Sequence, residues 1–217
     1  VVLKGGSEAI HSNTAIADIL IRAGEAAGMP HGAVGLVTDT SREAVTEMMK
    51  LNGVIDVLIP RGGSGLIQSV VQNATIPVIE TGVGNCHIYV DKTADLDMAT
   101  AITVNAKTTR PAVCNAAESL LVHEDIAGDF LPKAFAALRE KGVEIRGCKT
   151  CQKYGAKPAA EEDYDTEFLD LIISVKVVDD VDEAIAHINT HGTGHSEAII
   201  TNDYRNAEKF KDEVDSA

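Results

Sequence analysis

The sequence predicts an α/β fold made of two Rossmann-like units, each built on a parallel sheet. Short apolar runs alternate with amphipathic helical patterns along the chain, as expected for strands covered on both faces by crossover helices. Glycine- and proline-marked turns punctuate the junctions. A glycine-rich segment, Thr81-Gly-Val-Gly-Asn85, reads as a hinge between the two units and sets expected domains at residues 1–83 and 84–217.

In the first unit, Val1 to Leu3 reads as a buried strand. Ser7-Glu-Ala-Ile-His11 opens a long helix ending near Ala27, broken by Met29-Pro-His-Gly32. Val34 to Val37 is a second strand, and Thr40-Ser41 supplies N-cap chemistry for a second helix. Val54 to Ile59 is a third strand. The turn Pro60-Arg-Gly-Gly-Ser-Gly65 leads into a helix from Leu66 to Gln72, and Ile76 to Ile79 is a fourth strand. The second unit begins with a strand, His87 to Val90, and a helix from Leu96 to about Lys107. Then come a strand from Ser119 to His123, a helix from Leu131 to Lys141 and a strand from Val143 to Arg146. After an acidic loop, Glu161 to Asp165, follow a strand (Leu169 to Val177), a helix (Val181 to Thr190) and a last strand, Ala198 to Thr201.

The net charge of −14, from 19 basic and 33 acidic side chains, repels nucleic acid and anionic lipid, so neither is an expected partner. A phosphate-bearing ligand would have to be held by backbone amides, helix N-termini or individual Lys and Arg residues. No apolar run approaches the roughly 20 residues of a membrane span. Four cysteines in 217 residues do not make a disulfide framework, and a reducing cytoplasm is the expected compartment. The chain starts without methionine inside an apolar strand and stops just after the helical pattern Asn206–Asp215, as the central piece of a longer protein would.

Cys114 stands out among the candidate residues. It lies in the polar, proline-marked junction Arg110-Pro-Ala-Val-Cys114-Asn115 rather than in a periodic apolar stretch, with Lys107 and Arg110 near in sequence. Neighbouring cations favour a thiolate, and one such cysteine fits covalent catalysis; a small core residue is the other reading. Arg61-Gly-Gly-Ser64 follows a strand and opens a helix, a setting for pyrophosphate binding or for a plain glycine turn. Lys4 ends the first strand, where a cation suits a ribose 2′-phosphate; a solvated lysine is the alternative. Glu80 ends the fourth strand at the mouth of the expected crevice, and Glu167 precedes the long apolar strand of the second unit. The Cys148-Lys-Thr-Cys151 pair could follow a strand and open a helix as a thioredoxin-like redox pair does, but it is read as coincidental; zinc needs four ligands and no second pair completes a site. His187, His191 and His195 are read as part of a helix-to-strand turn, and no metal is expected.

Four segments together resemble the gamma-glutamyl phosphate reductases, also called glutamate-5-semialdehyde dehydrogenases, of the aldehyde dehydrogenase superfamily. They are Leu3-Lys-Gly-Gly-Ser-Glu-Ala9, Ile59-Pro-Arg-Gly-Gly-Ser-Gly65, Ile76 to Asp91, and Arg110 to Val122. The resemblance covers nearly the whole chain, and its Arg110–Val122 block is the specific part. It implies an aldehyde dehydrogenase-like fold in which the first domain is the C-terminal part of an NADP-binding domain and the second a truncated catalytic domain. It also implies NADPH-dependent reduction of L-glutamyl 5-phosphate to L-glutamate 5-semialdehyde and phosphate through a Cys114 thioester, within proline synthesis. Lys4, Arg61, Gly62, Gly63, Ser64, Glu80 and Glu167 are the implied NADP(H) contacts. Asn105, Arg110 and Asn115 are substrate candidates by proximity to Cys114. The family further implies a cytoplasmic homo-oligomer, with contact to glutamate 5-kinase, and a piece of this length is expected to turn over little or not at all. The alternatives are an ordinary aldehyde dehydrogenase or a non-catalytic nucleotide-binding module.

Overall fold

The computed structural model describes residues 1–80 and 82–217, apart from the Ser64 side chain. Thr81, at the start of the expected hinge, lies outside the described residues. The chain is α/β with parallel sheets and divides into two compact units, Val1–Thr81 and Gly82–Ala217.

In the first unit, β1 (Val2–Lys4) leads through a 3-10 turn at Ser7–Ala9 into α1 (Ile10–Ala26). Gly28, at φ 95°, releases the chain from the helix, a conformation that suits glycine because it has no Cβ. β2 (Gly35–Val37) then returns to pair with β1 in parallel, with Val2 opposite Gly35 and Lys4 opposite Val37. Ser41 caps α2 (Arg42–Met48), its hydroxyl accepting from the Ala44 amide at 3.2 Å, and α3 (Ser64–Asn73) follows the glycine turn. The predicted strands at Val54–Ile59 and Ile76–Ile79 are not strands: they meet only in an isolated parallel bridge, Leu58 with Val78. Leu58 N–H donates to Pro77 and Ile79 N–H to Leu58, but Pro60 and Pro77 have no N–H with which to extend a ladder. Val54, Ile59 and Ile79 are exposed, contrary to the burial expected of central strands.

Among the described residues, the second unit carries a six-stranded parallel sheet. Its elements are β3 (Cys86–Val90), α4 (Leu96–Thr108), β4 (Ala117–His123), α5 (Glu124–Glu140), β5 (Glu144–Gly147), α6 (Lys149–Gln152), β6 (Lys157–Pro158), β7 (Ile172–Val178), α7 (Val181–His191), β8 (Ala198–Ile200) and α8 (Tyr204–Glu213). The strand order is β6-β5-β7-β4-β3-β8, so the two fully buried strands, β3 and β4, lie side by side within the sheet. Alternation sorts their side chains. Ile88, Val90, Leu120 and Val122 pack with Phe130, Leu131, Phe135 and Leu138 of α5, while Tyr89 and Leu121 pack with Ile185 and Ile188 of α7 and Phe210 of α8. Burying a side chain of this size contributes roughly 1.5–3 kcal/mol each, which makes this core the stabilising centre of the unit. α5 begins seven residues before the predicted Leu131, because His123 Nδ1 caps it by accepting from the Asp125 amide at 3.1 Å and Pro132 is accommodated within it. Among the described residues, no helix is long and apolar enough to cross a membrane.

Candidate active site

Cys114 sits on a turn immediately before β4. Val113 N–H donates to Arg110, and Ala116 N–H donates back to Val113 at 2.9 Å, which puts Cys114 and Asn115 at the corner. Ala116 and Ala117 are buried while Cys114 is exposed, so the turn lifts one thiol out of a strand that is otherwise interior. The Cys114 backbone is held from behind. Its carbonyl accepts from the Cys86 thiol at 3.2 Å, and Gly84 packs so closely that a Cβ there would overlap the same carbonyl. The Cys114 N–H takes no acceptor among the described residues, which leaves it available to an oxyanion. Cys86 is buried, and burial first, then the Glu197 carboxylate, pushes its thiol up to about 12, so it stays protonated as the donor.

Glu167 joins this cluster. Its Oε1 accepts from the Gly84 N–H at 2.8 Å, so the carboxylate lies beside the segment that backs Cys114. Glu167 is placed by the chain after it. Leu169 adopts φ 56°, the sole positive φ of a non-glycine residue among the described residues, and its N–H donates to Glu118 Oε1 at 3.3 Å. That left-handed conformation costs about 1–2 kcal/mol, and the Glu118 bond helps hold it.

Glu118 is the extra residue of a β-bulge. Cys86 pairs with Ala117 but His87 pairs with Ser119, so Glu118 is turned out of the ladder. Its Oε2 takes the Lys107 ammonium at 2.6 Å, with both side chains fully buried. Burial pulls Lys107 down and pushes Glu118 up, while the bond between them opposes both shifts. This corrects one expectation: Lys107 is not a cation facing the Cys114 sulfur but the buried partner of Glu118. Arg110 and Asn115 are exposed on the Cys114 turn. Asn105 lies on α4. It lines a groove between α4 and α5 with Asp97, Thr100 and Lys133, and Cys114 is not among the lining residues.

The cofactor candidates are distributed between the units, with Glu167 alone in the second. Lys4 ends β1 with its ammonium donating to the Thr40 carbonyl at 3.4 Å, just past the C-terminal end of β2. Gly63 is the N-cap of α3; with no side chain there, the first-turn amides are left without a side-chain acceptor. The space where a Cβ would stand on Gly63 or Gly65 is open, so a phosphate can approach the backbone. Gly62 has φ 158°, Arg61 is exposed, and the Ser64 side chain lies outside the described residues. Glu80 is exposed at the end of the first unit. These residues fit a dinucleotide phosphate: one cation at a strand end and a glycine-capped helix.

Three features escaped the sequence reading. Gly84 and Cys86 back Cys114, a contact that their place in the segment from Ile76 to Asp91 does not reveal. The Lys107–Glu118 pair is eleven residues apart and becomes visible once the bulge is known. Cys148 and Cys151, read as coincidental, follow β5 and open α6 with their sulfurs 3.6 Å apart. His187 packs against Tyr164, His87 and His191 on α7, and His191 Nδ1 pairs with Asp165 at 2.7 Å. Among the described residues, no group of His, Cys, Asp and Glu is arranged to hold a metal ion.

Comparison with known proteins gives a consistent result. The chain is 61% identical to the gamma-glutamyl phosphate reductase of Clostridium beijerinckii and 59% identical to that of Carboxydothermus hydrogenoformans, in each case over its full length. It spans 53% of each of these relatives, about half their length. The solved gamma-glutamyl phosphate reductase of Thermotoga maritima superposes with a TM-score of 0.95 at 51% identity, over 99% of this chain and 52% of that one. Residues 1–147 match the aldehyde dehydrogenase family. With its parallel α/β units and an exposed cysteine set on a backed turn before a buried strand, the chain belongs to the aldehyde dehydrogenase family.

Proposed function

We propose that the full-length protein reduces L-glutamyl 5-phosphate to L-glutamate 5-semialdehyde and inorganic phosphate with NADPH, the second step of proline synthesis from glutamate. The observation that carries this reading is the exposed Cys114 on its pinned turn, in a chain about three-fifths identical to curated gamma-glutamyl phosphate reductases.

Cys114 attacks the acyl carbon as a thiolate. A carbon–sulfur bond forms, the carbon–oxygen bond to phosphate breaks, and phosphate leaves with the electron pair. The Cys114 N–H is the candidate donor to the oxyanion that develops on the acyl oxygen, a contribution of roughly 3–4 kcal/mol where such a donor is pre-positioned. NADPH, when bound, supplies the hydride that reduces the resulting thioester. By resemblance to the family, Lys4 is the candidate for its 2′-phosphate, Arg61, Gly62, Gly63 and Ser64 for its pyrophosphate, and Glu167 for its nicotinamide ribose. Glu80 is assigned to the cofactor side and not to water activation, since hydrolysis of the thioester would waste the acyl phosphate. The Cys114 sulfur finally departs as a thiolate when the thiohemiacetal collapses to the aldehyde. Arg110 and Asn115 are the candidates for holding the substrate.

The reaction is conveniently followed in reverse, as NADP⁺ reduction by glutamate semialdehyde in phosphate or arsenate. The expected result is strict dependence on that anion and a loss of about 10⁴-fold or more in Cys114→Ser. Equal rates without phosphate or arsenate would instead indicate an ordinary aldehyde dehydrogenase.

A further inference from the structure

Cys148 and Cys151 have no part in this reaction, and their placement gives them chemistry of their own. Cys148 directly follows β5 and is the N-cap of α6, and Cys151 lies one helical turn on, so strand, Cys-x-x-Cys and helix succeed one another. The two sulfurs are 3.6 Å apart. They differ in access and in partners. Cys148 is half-buried and its sulfur accepts from the Val177 N–H at 3.5 Å, a contact that favours a thiolate. Cys151 is fully buried, with its sulfur 3.6 Å from the Val175 carbonyl oxygen. The hydrogen bond from Cys151, supported by the backbone amides of Val177, Cys151 and Thr150 and opposed by burial, draws Cys148 down to about 5. The same bond, together with burial, pushes Cys151 well up.

The helix that carries the pair is locked to its strand. A Cβ on Gly147 would collide with Cys151, so glycine there lets α6 sit directly on β5. The pair lies toward the C-terminal end of the sheet, since Val177 is opposite Val122 near the end of β4, whereas Cys114 precedes the start of β4. It is therefore separate from the candidate active site. The two cysteines differ in enclosure: Cys148 is half-buried at the edge of the core, whereas Cys151 is fully buried within it.

We propose that Cys148 and Cys151 form a reversible disulfide by exchange with low-molecular-weight disulfides of the glutathione type. The Cys148 thiolate attacks one sulfur of the small disulfide; a new sulfur–sulfur bond forms, the old one breaks and one small thiolate leaves. Cys151 then gives its proton to solvent, and its sulfur displaces the second small thiolate from Cys148. The two protein thiols lose two electrons and the small disulfide is reduced to two thiols. Disulfide formation closes the 3.6 Å gap between the sulfurs to a bond of about 2.05 Å.

The test equilibrates the full-length protein in glutathione buffers of increasing oxidised fraction, quenches in acid, alkylates and maps peptides. Trypsin cleaves after Lys149, so peptides 147–149 and 150–153 separate when reduced and travel as one species when linked. The expected result is a linked species that grows with the oxidised fraction and disappears with dithiothreitol. Cys151→Ser should accumulate glutathione on Cys148, and Cys148→Ser should leave Cys151 unmodified. Iodoacetamide at pH 6 should label Cys148 at least about tenfold faster than buried Cys86. Recovery of both cysteines as separate alkylated peptides at every ratio, or linkage of either to Cys86 or Cys114 instead, overturns the proposal. The wild-type map decides the matter even where a variant fails to fold.

Discussion

The arrangement around Cys114 depends on a pair of charges that never reach it. Lys107 and Glu118 are both fully buried, and Glu118 also accepts the Leu169 N–H, two residues after Glu167. Removing one partner leaves the other charge enclosed and unpaired, whereas replacing both with apolar side chains removes the penalty altogether. Lys107→Met should therefore lower the unfolding free energy by about 3–5 kcal/mol, measured by urea denaturation. Lys107→Met combined with Glu118→Leu should recover most of this, short of the roughly 1 kcal/mol owed to the lost Leu169 bond. A single variant that unfolds at the wild-type denaturant midpoint would show that the pair contributes nothing. The sequence displayed both residues, but the bulge that turns Glu118 out of the ladder had no local signature, so Lys107 read as a cation for the thiol.

At the scale of elements, Cys114 is positioned by the approach to β3 as much as by its own turn. Gly84 and Cys86 both press on its carbonyl, and Glu167 is tied to the Gly84 amide. Gly84→Ala should force the two backbones apart. The expected outcome is a stability loss of about 1–3 kcal/mol and, because displacement by an ångström at a reacting centre is severe, a fall of about 10²-fold in turnover. Labelling of Cys114 by iodoacetamide should change in the same variant, and an unaltered rate together with unaltered turnover would contradict the role given to Gly84. The helices and strands of the second unit were legible because apolar periodicity was strong. β3 and β4 are buried on both faces and carry the apolar runs Ile88–Val90 and Leu120–Val122. The bridge at Leu58 and Val78 was misread as two strands for the complementary reason: apolar runs were present, but Pro60 and Pro77 deprive the backbone of the donors that a ladder requires.

At the scale of the whole molecule, acid should act on the second unit through a buried histidine. His187 is enclosed by Tyr164, His87 and His191, its Nε2 has no partner among the described residues, and burial first, then the neighbouring His191, lowers it to about 3. Its folded value lies below the unfolded value, so the unfolded chain binds the extra proton between the two. The contribution to stability is complete above about pH 6.5 and is lost as pH falls toward 3, at about 1.4 kcal/mol per pH unit within that window. His187→Gln should flatten the dependence of unfolding free energy between pH 6.5 and 4 by about that slope; an unchanged slope would assign the acid sensitivity to other groups. What the sequence by itself determined was the α/β class, most elements of the second unit and Cys114 as the residue on which to base a mechanism, because periodicity, turn chemistry and motif are local properties of the chain. What only the tertiary structure decided was which residues back Cys114, where the Lys107 charge goes, and that Cys148 and Cys151 face one another with unequal access. Those are matters of burial and of contacts between residues distant in sequence, set by sheet register and by the bulge at Glu118.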